Sequence, residues 1–398
     1  MAGANCPRGP FVGSTACLNP SCPARFHRSE HARRRCSPAS AADGPTAADR
    51  YTNVPGSLTA GSGWEDTRTV VAGLRAEYAA ITRLEADKAH PSWKRRLQIL
   101  GEIGEHIHNE TADRTGERPV RDVEADRNAE SERDRAIAAV EGAAKPDVNN
   151  EGDGRWAKFL GAQQRLDEAN KEVNRVIRAR HRAEARWADK YVESLVGVLS
   201  EVRPMGGTLT VHEKGNRQAA EAVQAATRMY PSSWVELSNA ATAGRPLVSQ
   251  IQKKGGVYRK SADARFSKGG EPVPVSVIST SRKRGNPEHE LAHRMEHVVE
   301  GLGQAEQAYH RVRTTDTVGV QFPSSAHQGD ETIRVFPDAG FSDPYASRDY
   351  EGDGSSWEVV SVGVGNLCGD NESRMLGLHG RRDDPSHRSF VFGALATI

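Results

Sequence analysis

The stretch Asn286-Pro287-Glu288-His289-Glu290-Leu291-Ala292-His293 has residue types and spacing that suit a catalytic metal. On a helix, positions i and i+4 lie on one face about one turn apart, so His289 and His293 can both meet one ion. Glu290, between them, is placed to act as general base on a water that the metal activates. Two imidazoles suit Zn2+, which lowers the pKa of a bound water towards neutrality. The expected chemistry is hydrolysis. The plainer alternative is a pair of surface histidines. Context weighs against it: Leu291, Met295, Val298 and Val299 give the same helix an apolar face, and Gly301 stands where a C-cap belongs.

A third protein ligand is required. His297 continues the series, but eight residues of helix rise about 12 Å, too far for His289 and His297 to share one ion. Glu296 and Glu300 face similar limits. Glu358, in Ser356-Trp357-Glu358-Val359-Val360-Ser361, is the better candidate. It opens a second expected helix able to pack beside the first, and three ligands plus an open position is the usual catalytic arrangement. The alternative for Glu358 is a carboxylate favoured at a helix N-terminus by the dipole. Tyr345, Tyr350 and His310 are available to stabilise an oxyanion, without a spacing that selects among them.

A second cluster lies near the N-terminus: Cys17-x4-Cys22-x4-His27-x3-His31-x4-Cys36, with Cys6 upstream. Four such ligands suffice for a closed structural zinc site, and metal would be the main source of order in so short and polar a segment. Cys17, Cys22 and Cys36 are the expected ligands, with Cys6 or a histidine as fourth; the alternative is an unstructured Cys-rich tail. The spacings match no standard finger. Glu105-His106-Ile107-His108 makes a poor chelate, because i and i+2 point to different sides of a helix, and a surface reading is preferred. Lys253-Lys254-Gly255-Gly256 reads as a charged turn, and lone Cys368 as a small buried residue.

Four lengths of chain must position these groups. Residues 1–36 hold the cysteines, and 37–63, rich in Ser, Ala, Gly and Pro, read as a flexible linker. Residues 64–203 are expected to be mainly helical: one helix from about Trp64 to Ala89, a second capped by Ser92, and a long one from Arg155. Phe159, Leu166, Val173, Ile177, Trp187, Tyr191, Leu195 and Leu199 mark one face of that last helix, which could pair as a coiled coil. Residues 205–398 alternate in kind. Thr208–Glu213 and Val273–Thr280 read as strands, and residues 216–230, 287–303 and 355–367 as helices. The expected fold is α+β, with a C-terminal catalytic domain of about 190 residues.

Composition bounds the rest. Of 398 residues, 36% are apolar, which fits folded segments separated by polar linkers. A net charge of +1 gives no support for nucleic-acid or membrane-surface binding. No apolar run is long enough to span a bilayer, and the N-terminus lacks a secretory pattern, so a cytoplasmic location is expected. No phosphate-binding glycine loop is present.

The segment HELAHRMEHVVEG followed by RDYEGDGSSWEVVSVGVGNL resembles the zincin-like metallopeptidase domains of phage and prophage minor-head or virion-associated proteins. MYPSSWVELSN and DDPSHRSFVFGALA resemble flanking segments of such domains, and the likeness covers roughly residues 205–398. It implies His289, His293 and Glu358 as zinc ligands, Glu290 as base, and a protein or peptide substrate. The departure is WEVVSVGVGNL: such domains continue with a further acidic or polar helix position before an apolar one, and here Val364 and Gly365 weaken the usual helix. Two other roles stay open: a phage structural or assembly component keeping a non-catalytic zincin fold, which binds partners or itself through the helical region, and a toxin or effector payload.

Overall fold

The computed structural model describes residues 63–119, 123–143, 154–253, 255–267, 270–321, 333–350, 357–369 and 383–398. Cys6, Cys17, Cys22 and Cys36 and the linker 37–62 lie outside the described residues. All described residues belong to one compact unit, Pro45–Ile398.

Its architecture is mixed α and β, with long helices and small sheets. Helices α1 (Trp64–Glu85), α2 (Trp93–Thr115), α3 (Val123–Gly142) and α4 (Gly154–Val202) form the first part. In α2, Leu97, Leu100, Ile103 and Ile107 recur at helical spacing and are all buried. Arg180 bonds Asp126 at 2.7 Å, and Ala139 and Gly142 sit beside Ala157 and Gly161, so α3 and α4 run antiparallel. Ala162 and Ala169, rather than the expected Phe159 and Leu166, are buried in the first third of α4; Val173, Tyr191, Leu195 and Leu199 are buried as expected.

The remaining elements are α5 (Arg217–Ala226), α6 (Ser232–Ala240), β1 (Leu247–Ile251), β2 (Val257–Ala264), β3 (Val273–Thr280), α7 (Asn286–Val298), α8 (Leu302–Thr314), β4 (Val320–Gln321), β5 (Ile333–Val335), β6 (Asp349–Tyr350), α9 (Val359–Cys368) and α10 (Pro385–Thr397). The main sheet has the order β1-β3-β2, with β1 parallel and β2 antiparallel to β3. A central position explains why Val275–Thr280 are buried without alternation. Strands β4, β5 and β6 make a small antiparallel sheet.

Three local expectations change. Thr208–Glu213 is not a strand, because its backbone finds other partners: Leu209 N–H donates to Gln224 Oε1 at 2.8 Å and Thr210 N–H to Asn239 Oδ1 at 2.7 Å. The helix expected over 287–303 is two. Val299 is extended, and Gly301, at φ 88°, opens α8 instead of capping α7. His108 is half-buried, 2.6 Å from the Tyr191 hydroxyl.

The helical part and the C-terminal part share one core. It runs from Ile99, Ile103 and Leu195 to Met295, Val360 and Phe392. Helix α10 lies directly on α2: a Cβ at Gly104 would fall 1.7 Å from Ser389 O, and one at Gly393 would fall 1.9 Å from Leu100 O. Backbones that close leave no room for any side chain but hydrogen. Residues on both sides of position 204 therefore belong to one compact unit. Among the described residues no helix is long and apolar enough to cross a membrane.

Candidate metal centre

Helix α7 carries the histidines, and its placement follows from what surrounds it. Pro287 occupies the first turn, where its missing N–H costs nothing. Leu291, Ala292 and Met295 face the core. Arg294, also buried, ties α7 to its neighbours: it donates to Ser238 Oγ at 3.1 Å, to Ser276 Oγ at 3.2 Å and to the Tyr258 hydroxyl at 3.3 Å. One guanidinium thus links α6, β3 and β2 to the histidine helix.

Helix α9 meets α7 through its glycines. A Cβ on Gly365 would lie 3.0 Å from His289 Cβ, and one on Gly363 would lie 2.5 Å from Val391 Cγ2 of α10. These two glycines thus let the Glu358-bearing helix sit between its neighbours. All ten residues of α9 are buried.

The close approach brings the expected ligands together. Glu358 Oε2 lies 3.4 Å from His289 Nε2 and 3.3 Å from His293 Nε2, and the three atoms are all within 4.8 Å of one another. Metal bonds of about 2.0–2.2 Å at tetrahedral angles place donors about 3.3–3.6 Å apart, so the donor set and both spacings to Glu358 fit a metal ion. Each ligand is oriented from behind. His293 Nδ1 faces Glu296 Oε2 at 3.1 Å, and His289 bonds the carbonyl of Ser361. The Tyr350 hydroxyl donates to Glu358 Oε1 at 2.6 Å, and Ser361 Oγ donates to Glu358 Oε2 at 3.0 Å.

The charge states of the three groups are set by their neighbours. Burial alone would raise the Glu358 pKa, but His293, His289 and the Tyr350 hydroxyl outweigh it and hold the carboxyl well below its usual range. Burial lowers His289 to about 4, so its imidazole is neutral near pH 7. For His293 burial is outweighed by the Glu358 and Glu296 carboxylates, which hold the ring pKa well above 6.5.

Glu290 stands beside the triad, its Oε1 4.0 Å from His289 Nε2. Burial pushes its pKa up to about 7 against the pull of His293. Asn286 Nδ2 donates to Glu290 Oε1 at 3.3 Å, and the Tyr258 N–H donates to the same carboxylate. Asn286 is itself fixed, accepting at Oδ1 from Ser281 N–H at 2.6 Å and from Thr280 Oγ1 at 3.0 Å. Gly256 closes in from the β1–β2 loop, where a Cβ would lie 2.3 Å from Glu290 Oε1. That loop, read as a charged turn, is a wall of the site; Lys254 within it lies outside the described residues.

A cleft of about 920 Å³ opens over these groups, bounded by Gly256, Lys283, Asp343, Tyr345 and Arg348 among others. His289 and His293 side chains are 18% and 10% exposed to it, which leaves a path for an ion. Of the oxyanion candidates, Tyr345 lines the cleft, its ring 6.1 Å from that of His289, and Arg348 Nη1 donates to its hydroxyl at 2.7 Å. Tyr350 is committed to Glu358. His310 is buried elsewhere, bonded to Ser347 O at 2.9 Å and packed on Trp357. His297 points away from the triad and packs on Tyr258, and Cys368 is buried.

Sequence reasoning missed Asn286, Arg348, Ser361 and Gly256. Asn286 carried a usable signal, four residues before Glu290 and so on the same helix face. Ser361 carried the same kind of signal, three residues after Glu358, whereas Arg348 and Gly256 are brought in by separate elements and had none. No family model, curated protein or solved structure matches the chain.

Proposed function

We propose that the chain is a zinc-dependent peptide hydrolase of the zincin-like kind, with His289, His293 and Glu358 as ligands and Glu290 as general base. The observation that carries this reading is the convergence of three donor atoms beside a buried, near-neutral carboxyl at the floor of a cleft. Bound zinc would supply Lewis acidity, lowering the pKa of water and polarising the scissile carbonyl.

The chain's own residues supply the remaining parts. Glu290, with a pKa near neutrality, takes a proton from the attacking water and gives it to the leaving amine. Asn286 and the Tyr258 N–H aim the carboxylate. The Tyr345 hydroxyl, kept protonated by burial and oriented by Arg348, donates to the developing oxyanion.

The test uses the full chain, because the C-terminal part shares its core with α2 and α4. Metal content by mass spectrometry is expected at about one zinc per centre described here, lost in His293→Ala. Hydrolysis of unfolded casein is expected for the wild type and absent in Glu290→Gln, which keeps its metal. A folded wild type that takes up no zinc at this centre overturns the reading. Metal without hydrolysis of any peptide favours the non-catalytic structural role.

A further inference from the structure

Behind the ligands, on the side away from the cleft, lie two buried carboxyl groups that the proposed chemistry does not use. Glu296 is on α7 and Glu306 on α8, with side chains 2% and 0% exposed. Glu296 Oε2 accepts from His293 Nδ1 at 3.1 Å. Glu306 Oε1 accepts from the Val360 N–H at 2.7 Å, in the first turn of α9, two residues past Glu358. The remaining oxygens, Glu296 Oε1 and Glu306 Oε2, face no N–H or hydroxyl donor. Instead the two carboxyl groups face each other.

We propose that Glu306 is a positioning residue for the metal centre, joining the helix that carries His293 to the helix that begins with Glu358. One arm of its carboxyl fixes Glu296, and through it the rotation and tautomer of the His293 ring. The other arm holds the first turn of α9, and so the start of the helix that presents Glu358. A side chain of another kind at 306 would leave His293 and Glu358 set by separate contacts. Packing alone does not explain a carboxyl there. Leu302, Ala305 and Tyr309 make the buried face of α8, and an acid within it costs free energy unless hydrogen bonded.

This inference rests on the metal-centre reading, and one experiment separates the two. Full-length wild type, Glu306→Gln and Glu306→Leu are titrated with Co2+, followed by visible absorption, and with Zn2+ against a chromophoric chelator. Gln reproduces both contacts, its carbonyl accepting from Val360 and its amide donating to Glu296. It is expected to bind within about threefold of wild type with the same cobalt spectrum. Leu fills similar volume without either contact. Its zinc affinity is expected to fall about 10–100-fold, as for other outer partners of metal ligands, with an altered spectrum. A merely structural residue would change the unfolding temperature and leave the affinity and spectrum alone. If the Leu variant does not fold, Glu306→Asp takes its place with the same expected loss, being one methylene too short to reach both partners. Wild-type affinity and spectrum in the Leu or Asp variant, or a Gln variant as impaired as either, overturns the positioning role alone. A wild type that binds neither metal overturns the centre and the inference together.

Discussion

Replacing Gly256 by alanine puts a methyl group against the proposed base. The new Cβ would lie 2.3 Å from Glu290 Oε1, 2.6 Å from Asn286 Nδ2 and 2.7 Å from Glu290 Cδ. Ordinary contact begins near 3.4 Å, so the carboxylate must retreat by 3.4 − 2.3, or about 1.1 Å. The backbone has little freedom to retreat instead, because Val257 is already paired with Ser279 and the Tyr258 N–H bonds the Glu290 carboxylate. The clash is with the end of a flexible side chain, so the cost to folding is small, about 1 kcal/mol. The cost to chemistry is larger: a misplacement of about 1 Å at a reacting group can lower turnover about 100-fold. The three ligand atoms are untouched, and zinc affinity is expected to be unchanged. Peptide hydrolysis gives kcat, chelator competition gives affinity, and thermal unfolding gives stability. A Gly256→Ala protein with wild-type kcat would refute the reasoning, showing that the loop moves away and that Glu290 does not depend on it.

Other consequences follow from named contacts. In metal-free protein the raised Glu290 pKa opposes folding as pH rises from the ordinary carboxyl value of 4.5 through about 7, because the unfolded chain ionises first. Glu290→Gln removes that penalty, so its stability gain over wild type should grow by about 3 kcal/mol between pH 5 and pH 8, measured by urea denaturation with chelator. Asp384 binds Arg313 at 3.0 and 3.2 Å and caps α10; burial opposes its charge, but Arg313 outweighs burial and holds its pKa below the ordinary value. Its contribution is therefore present above about pH 4 and lost as pH falls through the lower folded value. Asp384→Asn should cost about 3–5 kcal/mol at pH 7, and the gap from wild type should narrow as pH falls below that range. Gly104→Ala, which drives a methyl into Ser389, should destabilise by about 3 kcal/mol or more in a single transition covering both parts of the described unit. Two separate unfolding transitions would show that the shared core does not couple them.

Much of the site was legible because its chemistry is local. His289, Glu290 and His293 are set by one helix whose period places them, and α2 and β3 announce themselves through apolar spacing alone. Glu358 could be nominated by type and by the helix it opens, but not seated, since nothing in the local pattern tells which face of α9 meets α7. Packing decided that. Gly363 and Gly365, which as sequence weaken a helix, allow the backbone approach that puts Glu358 Oε2 between two imidazoles. The same holds for Tyr350, whose hydroxyl holds a ligand instead of awaiting an oxyanion, and for Thr208–Glu213, whose strand-like sequence yields to side-chain acceptors on α5 and α6. It holds most plainly for the join between α2 and α10, at opposite ends of the described chain. Periodicity reports what a residue's neighbours one turn away require. Contacts between distant elements depend on shape complementarity summed over the whole core, which only the folded chain evaluates.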